Sequence, residues 1–229
     1  MSLKRLILGP SKRPSRLVAM FHGLGGNRYE QLPTTERWSD ALPSTAFLLL
    51  EAADKDYHGR ELLTGAFSGD WYPFPGLRSQ FGDDESAYTG MVLGCISRSC
   101  DRVSRELDDY LEHIGLDDSQ LILAGFSQGA AISAYTGLQR RCLGVLPFGG
   151  PCPPRRALLP DDNNTTRVCV VVGDADHCVR HEELTHEFSK YRRQDEVTDG
   201  VHVIPGQGHI VSATSEALGL AFLRSCGCR

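Results

Sequence analysis

The sequence has no apolar run approaching the roughly 18 residues that a bilayer-spanning helix requires; stretches such as 121–124 and 168–172 are far shorter. It also has no surplus of positive charge. The 24 Lys and Arg residues face 29 Asp and Glu, a net charge of −5, which argues against nucleic acid or an anionic lipid surface as a partner. The first ten residues hold Lys4 and Arg5 but too short an apolar stretch, and no small-x-small cleavage site follows, so secretion is not expected. Without export, the 8 cysteines read as reduced thiols rather than a disulfide framework, and the glycosylation sequons at Asn163 and Asn164 stay silent. Internal repeats and low-complexity tracts are absent as well. What remains is a soluble, cytoplasmic chain of 229 residues, one domain spanning 1–229.

Short apolar runs bounded by Gly or Pro recur at 5–8, 17–21, 46–50, 121–124, 144–146, 168–172 and 201–204. Four of them are nearly continuously apolar, as strands covered on both faces should be, which predicts a mostly parallel central sheet. Helical periodicity lies between them. Val92, Ile96, Val103, Leu107, Leu111 and Ile114 mark the clearest helix, with Asp83, Asp84 and Glu85 suited to its N-terminus. Ala131, Ala134, Tyr135 and Leu138 mark a second, and 180–193 and 212–223 suit two more. Alternation of strand and helix gives an α/β class, one doubly wound domain with helices on both faces of the sheet. The one long irregular stretch, about 54–82, carries Phe67, Trp71, Tyr72 and Phe74; these aromatics would form a lid or an acyl-binding wall, or pin the loop to the body.

The strongest chemical signal is Gly125-Phe126-Ser127-Gln128-Gly129, a G-x-S-x-G match with a strand before it and a helix after it. A sharp strand-to-helix turn projects the central side chain out of the sheet, and glycines on either side remove Cβ atoms that would collide there. Ser127 is therefore the candidate nucleophile. A hydroxyl needs an imidazole to take its proton and a carboxylate to hold the imidazole tautomer. Asp174 and Asp176 follow the strand at 168–172, and His209 follows the strand at 201–204, which is the order Ser, acid, His. The glycines of His22-Gly23-Leu24-Gly25-Gly26 would expose the backbone N–H of Leu24, and the N–H of Gln128 supplies a second donor for an oxyanion hole. A dinucleotide fingerprint starting at Gly23 fails, because Arg28 occupies the position of its last glycine.

The remaining histidines make weaker claims. His58 lies in the irregular stretch, His113 near a helix end and His202 within a strand, where structural roles fit best. His177, His181 and Glu182 imitate a metal-binding face, but a solvated helix start explains them, so no metal is expected.

Taken together, Gly125-Phe126-Ser127-Gln128-Gly129-Ala130, His22-Gly23-Leu24-Gly25, Gly173-Asp174-Ala175-Asp176-His177-Cys178-Val179 and Gly206-Gln207-Gly208-His209 resemble the phospholipase/carboxylesterase family of α/β-hydrolases, which includes acyl-protein thioesterases. The resemblance runs from about Leu17 to Leu223. It implies an α/β-hydrolase fold, places the acid at Asp176 through the pattern G-x-x-D-x-x-V, and completes the set with Ser127, His209, Leu24 and Gln128. It implies a serine hydrolase without cofactor, acting on an acyl ester or thioester, with S-acylated proteins or lysophospholipids as substrates and a monomer or homodimer as the assembly. The alternatives are a short-chain carboxylesterase acting on small esters and an inactive hydrolase fold used as a binding module. The chain departs from the family at Trp71-Tyr72-Pro73, where an aromatic pair followed by Asp is common. Cys226-Gly227-Cys228-Arg229 places a Cys four from the end without aliphatic residues after it, which argues against lipidation there.

Overall fold

The computed structural model describes residues 3–10, 12–52, 70–72, 85–150, 165–188 and 198–229. Among these residues seven strands form one sheet: β1 (Arg5–Leu8), β2 (Arg16–Phe21), β3 (Thr45–Leu50), β4 (Leu121–Phe126), β5 (Gly144–Phe148), β6 (Arg167–Gly173) and β7 (Gly200–Ile204), in the order β1-β3-β2-β4-β5-β6-β7. All neighbours are parallel except β1, which runs antiparallel along β3 with Arg5 opposite Leu50. Each expected strand is present.

The continuous apolar runs have the cause expected of them. In β2, Leu17, Ala19 and Phe21 point into one core while Val18 and Met20 point into another; in β6, Val168, Val170 and Val172 join the first while Cys169 and Val171 join the second. A strand buried on both faces has no position left for a polar side chain. The first core is closed by α2 (Glu85–Ile114), α3 (Gln128–Arg140) and α4 (His181–Phe188), through residues such as Val103, Leu107, Ile132 and Leu184. The second is closed by α1 (Leu32–Ala41) and α5 (Ala213–Ser225), through Trp38, Phe222 and Leu223. Ser212 caps α5 by accepting from the N–H of Ser215. Among the described residues no helix is long and apolar enough to cross a membrane.

Helix α1 carries no periodic signal in the sequence. Its buried residues are Thr34, Thr35 and Trp38, so the inward face holds a single large apolar side chain and no periodic stripe. The threonines are tolerated because their hydroxyls are satisfied: Thr35 Oγ1 donates to Gln31 O at 2.7 Å and Thr34 Oγ1 to Glu216 Oε1 at 2.7 Å.

The sheet order positions the site. From β2 the chain crosses by α1 to β3 on one side, and then returns past β2 to β4 on the other. The loops leaving the C-terminal ends of β2 and β4 therefore diverge, and a crevice opens between them. His22-Gly23-Leu24 leaves β2 there and Ser127 leaves β4.

Candidate active site

Ser127 joins β4 to α3 with φ 53° and ψ −116°, a conformation that L-residues rarely adopt and that costs of order 1–3 kcal/mol. The turn is held by the Ser127 N–H, which donates to Phe148 O at 3.0 Å, and by Ser127 O, which accepts from Ala130 N at 3.1 Å. The glycines leave no alternative. A Cβ at Gly125 would stand 2.3 Å from Gly129 O, and one at Gly129 would stand 2.3 Å from Phe21 O, so strand, turn and helix touch backbone to backbone.

Three side chains from three strand ends meet here. Ser127 Oγ lies 3.0 Å from His209 Nε2, and His209 Nδ1 lies 2.8 Å from Asp176 Oδ2. The Asp176 side chain is 1 % exposed, and its other oxygen accepts from the N–H groups of Cys178 at 2.8 Å and Val179 at 3.1 Å. As an acceptor throughout, the carboxylate fixes the imidazole with its proton on Nδ1 and its Nε2 lone pair toward the serine. Asp174 faces elsewhere: its Oδ1 accepts from Gly206 N at 2.6 Å and so closes the turn that leads to His209. Phe126 packs against the His209 ring, with centroids 4.8 Å apart.

The loop after β2 has its amides assigned almost completely. Gly23 N–H donates to Glu30 Oε2 at 3.0 Å, Gly25 N–H to Asp70 Oδ1 at 3.0 Å, and Gly26 N–H to Gly23 O at 3.2 Å. Among the described residues the N–H of Leu24 has no acceptor, and neither has that of Gln128 at the first turn of α3. Two free donors at the mouth of the crevice, one of them at a helix N-terminus, are what an incoming oxyanion requires. Glu30 and Asp70 hold the loop, and nothing local in the sequence distinguishes them from other surface carboxylates. Both are raised in pKa, primarily by burial, with the loop N–H bonds opposing.

His22 is the other concealed support. Only 1 % exposed, it accepts from Ala52 N–H on Nε2 at 3.0 Å and so carries its proton on Nδ1, directed at Gly23 O at 2.7 Å. Burial holds its pKa below the ordinary 6.5, outweighing the backbone bond and Glu51, which act upward. Between the lowered folded value and 6.5 the unfolded chain binds the extra proton, so this stabilisation is present above about 6.5 and is lost as pH falls below it. Urea unfolding at about pH 7.5 and 5.5 should show a loss of stability on acidification that is smaller in His22→Gln than in the wild type. An equal loss in both proteins would assign the acid sensitivity to other groups.

The loop aromatics divide. Phe67 and Phe74 lie outside the described residues, as does nearly all of 54–82 and His58. Trp71 and Tyr72 are 2 % and 5 % exposed. Trp71 packs edge-on against Phe21 with centroids at 5.4 Å, lies over His22, and donates from Nε1 to His22 O at 2.9 Å. The Gln128 side chain clamps this segment, accepting from Trp71 N–H at 3.1 Å and donating to Tyr72 O at 2.9 Å. The Gln128 side chain thus holds the Trp71-Tyr72 segment against the first turn of α3.

Of the remaining candidates, His202 Nε2 lies 3.0 Å from Thr198 O, and His181 lies 3.6 Å from Glu182 without a third metal donor. Among the described residues only Asp176, Cys178 and His209 bring three such donors together. Cys226 and Cys228 are buried, and burial pushes their thiols up to about 12 and about 11, which leaves little thiolate for modification.

The model of the phospholipase/carboxylesterase family matches residues 4–224. The chain is similar to an acyl-protein thioesterase 1 of Cryptococcus neoformans, 26 % identical over 147 residues, 63 % of this chain and 58 % of that protein. It therefore spans little more than half the length of that relative. Similarity to an acyl-protein thioesterase 1 of Mycosarcoma maydis is 25 % over 207 residues, 82 % of each chain. Among solved structures, that of esterase PE8 superposes with a TM-score of 0.77 at 23 % identity, covering 99 % of this chain and 100 % of the other. The superposition shows a shared fold, which together with the family match is the α/β-hydrolase fold. Since the family match runs over nearly the whole chain, the protein belongs to the phospholipase/carboxylesterase family.

Proposed function

We propose that the protein is a serine hydrolase that cleaves carboxylic esters or thioesters through a covalent acyl-enzyme. The observation that carries this reading is the series Ser127–His209–Asp176, bonded at 3.0 and 2.8 Å, beside the free amides of Leu24 and Gln128. Ser127 Oγ attacks the carbonyl carbon while His209 Nε2 takes its proton, and the negative oxygen is received by the two N–H groups. Collapse expels the alcohol or thiol, protonated by the imidazolium. Water, activated by the same imidazole, then hydrolyses the acyl-serine and restores the site. The chain's own residues perform every step. Its relatives' names favour acyl-protein thioesters as the substrate class.

A second reading, a short-chain carboxylesterase acting on small esters, is favoured by the burial of Trp71 and Tyr72, which present no open wall to a long chain. The two readings separate in a panel of acyl lengths offered as oxygen esters and as thioesters, with a fluorophosphonate probe counting the reactive serine. The thioesterase reading expects efficiency to rise with each added methylene, worth about 0.8 kcal/mol when buried, until the site is filled. An optimum at acetyl or butyryl would overturn it in favour of the small-ester enzyme, and absence of hydrolysis and labelling would overturn both. Trp71→Ala should cost about 3–5 kcal/mol of stability by denaturation, as large buried aromatics do. A folded variant whose acyl-length slope is flattened would instead place Trp71 in the acyl wall.

A further inference from the structure

Cys178 stands apart from the other thiols. Cys95, Cys100, Cys142, Cys169, Cys226 and Cys228 are all buried, and Cys178 is the exposed one among the described residues. It also stands beside the site: its sulfur, a carboxylate oxygen of Asp176 and a ring nitrogen of His209 lie within 4.8 Å of one another. The reaction uses the carboxylate and the imidazole and has no task for the thiol.

We propose that Asp176, Cys178 and His209 form a site for a divalent cation of the zinc class, whose binding switches hydrolysis off. One thiolate, one imidazole and one carboxylate are the donor set that such an ion takes, whereas magnesium and calcium prefer oxygen alone. Metal–ligand bonds of about 2.0–2.3 Å separate the donors of one tetrahedral ion by well under 4.8 Å. The exposed Cys178 side chain closes this gap by rotation about χ1, since its backbone is fixed to Asp176 by the 2.8 Å N–H bond. Solvent completes the coordination on the open side.

The proton balance explains the loss of activity. The ion takes the Nδ1 lone pair in place of the Nδ1–H bond to Asp176, so the imidazole proton moves to Nε2. Cys178 releases its thiol proton to solvent, one proton per ion bound. Nε2 then points a hydrogen at Ser127 instead of a lone pair, and the serine has no base. This regulatory step rests on the serine-hydrolase reading, while binding of the ion does not.

Cobalt and zinc chlorides test the two separately. Cobalt should give the wild type a thiolate-to-metal charge-transfer band that Cys178→Ser lacks. Zinc should depress ester hydrolysis and fluorophosphonate labelling together, magnesium should leave both unchanged, and Cys178→Ser should need at least about tenfold more zinc while keeping its metal-free rate within about twofold. A band that is absent from the wild type or persists in the variant would overturn the site. Equal zinc sensitivity of the two proteins would do so as well. If the metal-free protein neither hydrolyses esters nor labels, the hydrolase reading fails and the cobalt band still decides whether the ion binds.

Discussion

Ser127→Ala is expected to lower kcat by about 10⁴-fold or more and to abolish fluorophosphonate labelling, with the fold unchanged. The size of the effect follows from the position of the hydroxyl, which is the only group of this residue aimed at His209. The fold survives for a local reason: the Ser127 side chain makes no capping bond to α3, and the turn is held by backbone groups that alanine retains. Alanine meets the same positive φ as serine, so the strain is not altered either. Thermal unfolding should therefore coincide for the two proteins. Labelling that persists in the variant would remove Ser127 from the chemistry.

Asp176→Asn should be nearly as damaging, on the order of 10⁴-fold in rate, although it changes one atom. The carboxylate accepts on both oxygens, from His209 on one and from two backbone N–H groups on the other. An amide satisfies only one side. If its oxygen stays with the backbone donors, its NH₂ faces Nδ1 and forces the imidazole proton onto Nε2, where it can no longer accept from Ser127. Asp174→Asn lacks this conflict, because an amide oxygen can still accept from Gly206 N–H. It should lose less than about tenfold in rate, together with at most about 1 kcal/mol of stability. The opposite ranking would move the acid by two residues.

Much of this molecule is legible in its sequence because the two signals involved are local. The five central strands, β2 to β6, are buried on both faces and must be apolar almost throughout, so they can be located within a residue or two, and the turn at Ser127 must be flanked by glycine because Gly125 and Gly129 touch neighbouring backbone. Asp176 and His209 follow from strand ends and from the family pattern. What stays hidden depends on contacts across the chain. Helix α1 faces its core with threonines whose hydroxyls are satisfied by partners as remote as Glu216, and no periodic stripe announces that. Glu30, Asp70 and the side chain of Gln128 look like any surface polar group until the fold brings them to the Gly23–Gly26 loop and to Trp71.

The sheet order has a kinetic consequence. The bond between Ser127 and His209 spans 82 residues, and the free N–H of Leu24 comes from the far side of β4, so no contiguous part of the chain contains the proposed centre. Parallel strands linked by crossovers pair late, since each must close a long loop before any contact compensates for the lost chain entropy. In refolding from denaturant, helical signal and collapse therefore precede the docking of β7, and recovery of the proposed hydrolysis reports the last step rather than the first.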